Sequence, residues 1–213
     1  MNISITVMAH PKRKREAMAL HKKLIQQPFS KVRIVWDEIN NEWHTGERSM
    51  RSGVADSGWH VVIQDDAILT PDFYFNIERV IEAVPIKSVI SLYTGTVRPL
   101  PERVAEAANK APEGSFLMHN MMMWGVGILI PAAHIEPMLD YINEPKYSDT
   151  PYDTRIGIFY QRNRLPIYYT IPSLVDHDDD LGSLIGNGYD IKPRVAHRRS
   201  RGLVSWTNTV INI

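Results

Sequence analysis

Apolar and polar positions along this chain recur with two periods, and each period marks an element. Residues 3–8 (ISITVM) form a short apolar-rich run of strand length. Residues 15–26 then place Ala17, Leu20 and Leu24 at helical spacing, with Lys and Arg on the other side. Residues 32–36 predict a second strand ending at Asp37, and a polar loop rich in Asn and Trp leads to a short helix expected over residues 47–55. Residues 59–63 predict a third strand, which runs straight into Gln64-Asp65-Asp66. Thr70 and Pro71 read as the N-cap and first residue of a helix carrying the stripe Phe73, Ile77, Val80, Ile81 and Val84.

The second half continues the alternation. Strands are expected at 88–93, 116–119, 127–130 and 167–171, and helices at 102–110, at 132–142 with a bend at Pro137, and from Pro151 onward. Beyond Pro172 the pattern reads as loop, followed by a basic stretch at 192–201. Such alternation predicts an α/β fold with a mostly parallel central sheet and helices on both faces, whose ligands sit at the carboxyl ends of the strands. Attention therefore falls on Ala9-His10-Pro11, Asp37, Gln64-Asp65-Asp66 and residues 172–177. Residues 1–190 are expected to form the domain, and residues 191–213 a basic tail packed on or closing over its site.

Composition narrows the chemistry. Of 213 residues, 44% are hydrophobic and 23% charged, proportions of a globular chain rather than a disordered one. Lys plus Arg and Asp plus Glu both total 24, so no bulk positive charge draws the chain to duplex nucleic acid. The absence of cysteine excludes disulfides, thiolate zinc sites, iron–sulfur clusters and thiol nucleophiles. The N-terminal apolar run is too short for a signal peptide, and no apolar stretch approaches the ~20 residues of a membrane span, so a cytoplasmic protein is expected. Neither GxGxxG after the first strand, nor GxxxxGK[ST], nor GxSxG occurs. If the chain handles a nucleotide, a metal ion is the natural counter-charge for its phosphates.

Two adjacent carboxylates after the buried run VVI are costly unless a cation or hydrogen bonds compensate them. They read either as a hard-cation site or as an exposed turn. The whole segment HVVIQDDAILTPDF resembles the DxD region of GT-A glycosyltransferases, Rossmann-like enzymes that use nucleotide sugars. The resemblance implies Asp66 as metal ligand and Asp65 on the donor sugar. Gln64 then stands in the motif's first position, where an acid is usual. Similarly, VMAHPKRKRE resembles the nucleotide-binding loop, which implies Ala9 and His10 near the base and Arg13 or Arg15 near phosphate. MWGVGILIPAAHIEPML resembles the loop bordering donor and acceptor, with Trp124 and Gly125. Asp153, in PYDTR, stands where such enzymes carry a catalytic acid at a helix start; its alternative is a first-turn aspartate that complements the helix dipole. His177, in IPSLVDHDDD, corresponds to a histidine that completes the metal site. Asp37, at the end of the second strand, joins the donor-binding set, and Arg48, Arg51, Arg198 and Arg199 are expected to support the diphosphate.

These motifs run in order over residues 7–177 and are most similar to short phage and bacterial glycosyltransferase-like proteins. The implied reaction moves a hexose or pentose from a nucleoside diphosphate sugar, UDP-sugar foremost, to an acceptor hydroxyl with Mn²⁺ or Mg²⁺. With Asp153 as base it would invert the anomeric centre. Lys192, Arg194, Arg198, Arg199 and Arg201 read either as a lid over the donor or as a grip on a polyanionic acceptor such as modified phage DNA. Two rival readings are a metal-dependent phosphohydrolase or nuclease and a nucleotide-sugar-binding module without turnover. His21, His44, His60, His119 and His134 lack partner spacing and read as structural or surface residues.

Overall fold

The computed structural model describes residues 1–54, 58–97, 99–182, 184 and 194–213. Its strands are β1 (Ile3–Ala9), β2 (Lys31–Trp36), β3 (Trp59–Gln64), β4 (Ala67–Leu69), β5 (Ile90–Ser91), β6 (Ser115–His119), β7 (Gly127–Pro131), β8 (Ile167–Ile171), β9 (Val175–His177) and β10 (Val210–Asn212). The α-helices are α1 (Lys14–Leu24), α2 (Glu42–Arg51), α3 (Phe73–Ala83), α4 (Pro101–Lys110), α5 (Ala132–Ile142) and α6 (Tyr152–Arg162). One sheet takes the order β10-β6-β8-β5-β7-β3-β1-β2. Its pairings β1–β2, β1–β3, β5–β8 and β6–β10 are parallel; β3–β7, β5–β7 and β6–β8 are antiparallel. The expected α/β class and mostly parallel sheet are observed, with β7 inserted against its neighbours' direction. Every residue of β1 is buried, and Val7 lies in register with Ile34 on one side and Ile63 on the other. Such a run has no solvated face to alternate with, which is why it reads as continuous apolar sequence.

Strand directions decide where a site can form. The carboxyl ends of β1, β2, β3, β5 and β8 share one edge of the sheet, and the chain enters β7 at that same edge. Three local features furnish this edge, each departing from the sequence expectation. Helix α2 begins at Glu42, not near residue 47, because the Asn41 side chain caps it by accepting the His44 N–H at 2.9 Å. Thr70 does not cap α3; its hydroxyl and N–H both reach the Leu174 carbonyl, at 2.8 and 3.1 Å. That tie leads into a small antiparallel ribbon of β4 and β9, with Ala67 opposite His177, where the sequence suggested only loop.

The chain's last residues belong to the fold. Val204 N–H and the Trp206 indole N–H donate to Asn76 Oδ1 at 2.9 and 3.4 Å, the Trp206 ring packs on Phe116, and β10 extends the sheet edge. The expected junction at residues 190 and 191, like Lys192, lies outside the described residues. His60 is fully buried and structural: Ser4 Oγ meets its Nδ1 at 2.7 Å and the Ser49 carbonyl meets its Nε2 at 2.9 Å. No helix among the described residues is long and apolar enough to cross a membrane.

Helices α2, α5 and α6 pack on one another, and α2 also packs on β1, β2 and β3. Tyr152, at the start of α6, is the wedge between α2 and the segment that leads into β7. A Cβ at Gly46 would lie 2.5 Å from its ring, and one at Gly125 would lie 3.1 Å away. Ala in place of a helical Gly ordinarily stabilises by ~0.5–1 kcal/mol. At Gly46 the collision with a buried ring outweighs that gain, since overpacking costs about 1–3 kcal/mol. Gly46→Ala is therefore expected to lower the thermal unfolding midpoint by several degrees. An unchanged or raised midpoint would contradict this packing.

Candidate active site

A cavity of about 670 Å³ opens at the carboxyl edge of the sheet. Ala9 and His10 line it from the end of β1, Asp37 from β2, Gln64, Asp65 and Asp66 from β3, Tyr93 from beyond β5, Trp124 and Gly125 from before β7, Asp153 from α6, and His177 from β9. The sequence singled out all of these except Tyr93. The structure also places Glu42, Thr154 and Arg194 in the wall.

Asp65 and Asp66 are both buried, and burial alone would make either charge expensive. Arg13, itself buried, meets them with one nitrogen: Nη1 lies 2.9 Å from Asp65 Oδ1 and 2.6 Å from Asp66 Oδ2. Its other terminal nitrogen donates to the Leu181 carbonyl at 2.8 Å and to the Gly182 carbonyl. Asp65 also accepts the His10 N–H at 2.7 Å, yet burial outweighs these donors and leaves its carboxyl above the usual carboxylate range. For Asp66 the balance reverses. Burial pushes it up, but hydrogen bonds and charge from His177 and Arg13 hold it below that range.

His177 Nε2 lies 3.2 Å from Asp66 Oδ2 because the β4–β9 register sets Ala67 opposite His177, and the Asp178 N–H closes the contact on the Asp66 carbonyl at 2.8 Å. Two metal–ligand bonds of about 2.1 Å at right angles would separate their donor atoms by about 3.0 Å. Asp66 Oδ1 and His177 Nδ1 are buried without hydrogen-bond partners. Asp66 Oδ2 is already held by Arg13 and His177, so Asp66 Oδ1 is the free position from which these residues would hold a divalent ion. Among the described residues no three His, Asp or Glu side chains group to hold a metal, so further ligands would have to come from a bound substrate or water.

A second carboxylate pair lines the cavity. Asp153 is the second residue of α6, and its Oδ1 accepts the Thr154 N–H at 2.7 Å. Burial raises its carboxyl to about 6. Glu42, first residue of α2, is raised to about 7, by burial first and then by the charge of Asp153. Both helix N-termini favour negative charge, so burial dominates here. An aromatic row joins the two pairs. Trp124 packs edge-on against Tyr93 and Tyr169, at 5.8 and 5.6 Å between centroids. Burial raises both tyrosines, with Asp66 among the charges acting on Tyr93 and Asp153 acting on Tyr169. The Tyr169 hydroxyl accepts the Met123 N–H at 3.0 Å and donates to the Met121 carbonyl, fixing the methionine turn. Met122 and Met123 are buried there as filling.

The remaining expected donor contacts fall elsewhere. Arg15 is exposed beside Glu16. Arg48 pairs with Glu38 at 2.8 Å, and Arg51 with Glu47 and Glu136. Arg198 donates to the Ala111 carbonyl at 2.9 Å. Arg199 pairs with Asp176 at 3.1 Å in a neighbouring depression of about 340 Å³ lined by Asp178, Asp179 and Asp180. Arg13 reaches the site, as a counter-ion to the two aspartates. Asp37 accepts the Ile39 and Asn41 N–H groups at 3.2 and 3.1 Å, which shapes the turn into α2. Glu42 escaped the sequence reading because the helix start was set too late; Asn41 as N-cap was the available signal.

No family model matches the chain, and comparison with curated proteins returned no match. Among solved structures, the chain aligns with one described as a glycosyltransferase involved in the glycosylation of the major capsid of PBCV-1. The two are 10% identical over 79% of this chain and 81% of that one, with a TM-score of 0.48. A likeness of that strength carries no functional assignment.

Removing one partner of a buried ion pair costs about 3–5 kcal/mol, because the remaining charge is stranded. Arg13→Met is accordingly expected to destabilise the protein by that order in urea unfolding. Adding Asp65→Asn should recover part of the loss. A neutral Arg13→Met variant would show that the carboxylates do not depend on this guanidinium.

Proposed function

We propose that the cavity binds a nucleoside diphosphate sugar and transfers its sugar to an acceptor hydroxyl. The observation that carries this reading is the meeting of Asp66 and His177 at 3.2 Å in the wall of a cavity that also holds Asp153. It gives physical support to the resemblance of HVVIQDDAILTPDF and PSLVDH to GT-A enzymes. A polar anchor for an anionic leaving group and a carboxylate of raised basicity in one cavity are the parts that group transfer to a hydroxyl requires.

In this reading Asp66 and His177 hold Mn²⁺ or Mg²⁺, which supplies charge neutralisation for the departing diphosphate. Arg13 keeps Asp65 and Asp66 in place, and Arg194, tied to Asp179 at 3.5 Å, adds positive charge to the lining. Trp124 and Tyr93 form an apolar wall of the kind that excludes water from a sugar face. Asp153, largely ionised at neutral pH, accepts the proton of the acceptor hydroxyl, and direct displacement then inverts the anomeric centre. We read the donor as a UDP-sugar from the resemblance.

Charge bears on the acceptor. Asp37, Glu42, Asp65, Asp66 and Asp153 line the cavity against Arg13 and Arg194, and Arg198 and Arg199 are engaged elsewhere. This favours an uncharged acceptor over the modified phage DNA that the basic stretch suggested. A phosphohydrolase needs a fuller metal cage than Asp66 and His177 offer.

The test is release of nucleoside diphosphate from a panel of nucleotide sugars. Asp153→Asn should lower kcat by about 10²–10⁴-fold with little change in donor KM, and Asp66→Ala should abolish turnover. Both variants turning over at the wild-type rate would refute the assignment.

A further inference from the structure

Glu42 lies outside every motif that pointed to this site, yet it shares the cavity with Asp153. Neither carboxylate has an ion-pair partner among the described residues, in contrast to Asp65 and Asp66, which share Arg13. The arrangement is held rigidly: Asn41 caps α2, Tyr152 is wedged against Gly46, and α2 packs on α6. Two neighbouring carboxylates without a cation do not both ionise cheaply, and in such pairs one becomes the base while the other keeps its proton.

We propose that Glu42 is a second substrate-facing carboxyl, working in its protonated form: it donates a hydrogen bond to an oxygen of an uncharged, hydroxyl-bearing acceptor while Asp153 takes the reacting proton. The proposal rests on the glycosyltransferase reading and extends it to the acceptor. As the acceptor oxygen bonds to the anomeric carbon, the bond from that carbon to the diphosphate oxygen breaks and its electron pair leaves with the diphosphate. The acceptor's proton passes to the Asp153 carboxylate, and Glu42 retains its own. A polyol or glycan supplies the second oxygen that this contact needs.

Burial raises both carboxyls, and the charge of Asp153 raises Glu42 further. The titratable groups that meet their charge are Tyr152 on α6, which faces both, and Tyr169 on β8, which faces Asp153; His10, Asp37, Asp65, Asp66, His177, Arg13 and Arg194 share the cavity wall. Arg155 is turned away, its guanidinium 4.4 Å from the centroid of the Trp43 ring and its N–H groups on the Ser148 and Thr150 carbonyls.

The first test is NMR titration of the Glu42 carboxyl in ¹³C-labelled protein, which needs no substrate. Its midpoint should lie near 7 and fall in Asp153→Asn; an ordinary glutamate midpoint indifferent to Asp153 would overturn the proposal. The second is the pH dependence of kcat/KM for transfer from a UDP-sugar to methyl glycosides. The wild type should give a narrow bell, rising as Asp153 ionises and falling as Glu42 does. Glu42→Gln keeps a donor that cannot ionise, so the alkaline fall should vanish and the variant should overtake the wild type at pH 9. Glu42→Ala should lose about ten-fold or more at the wild-type optimum and should likewise lack the alkaline fall. A Glu42→Gln variant as impaired as Glu42→Ala, or one that keeps the bell, would overturn the proposal. Absence of transfer from every nucleotide sugar would instead refute the broader reading, while the NMR titration still decides the proton.

Discussion

Two adjacent carboxylates at the end of a buried strand have to be neutralised inside the protein, and much of the site's construction follows from how that is done. Asp65 and Asp66 follow β3 into the sheet edge, and Arg13, one short turn after β1, takes both with a single nitrogen. The opposite end of the guanidinium fastens the Leu181 and Gly182 carbonyls, so one side chain joins the first strand, the third strand and the loop after β9. His177 arrives from the far side through the β4–β9 ribbon. Removing Arg13 strands two largely buried carboxylates, which makes the cluster a folding constraint before it is a functional one.

The second pair obeys a different rule. Glu42 and Asp153 are held in place by helix packing, with no cation among the described residues to compensate them. Burial then leaves them basic, where Arg13 and His177 hold Asp66 acidic. The cavity therefore combines a neutralised anchor with a wall of basic carboxylates; Tyr93 and Trp124 line it beside them, and Tyr169 packs against Trp124 from behind. In the proposed reading, sugar transfer to a hydroxyl uses both.

Much of this was legible in the chain. Continuous apolar runs marked β1 and β3, and the edge rule for α/β sheets led directly to Ala9, Asp37, Asp65 and Asp66. What escaped was set by long-range pairing. Ala67–Leu69 is three residues long, too short for periodicity to register, and it becomes a strand only because Val175–His177 pairs with it. Arg13 and Arg15 were both expected near phosphate; only the fold shows that Lys12, Lys14 and Arg15 are exposed while Arg13 turns inward onto Asp65 and Asp66. The basic stretch near the C-terminus carried no local sign that Arg198 and Arg199 would be spent on a carbonyl and on Asp176.

The central claim is that the Asp66–His177 anchor receives a nucleoside diphosphate through a divalent ion. Calorimetric titration of UDP into the wild-type protein, with Mn²⁺ and then with EDTA, tests it most directly. The account predicts saturable binding with Mn²⁺ that is lost in EDTA and in Asp66→Asn. Binding of equal strength without the ion, or in the variant, would contradict it.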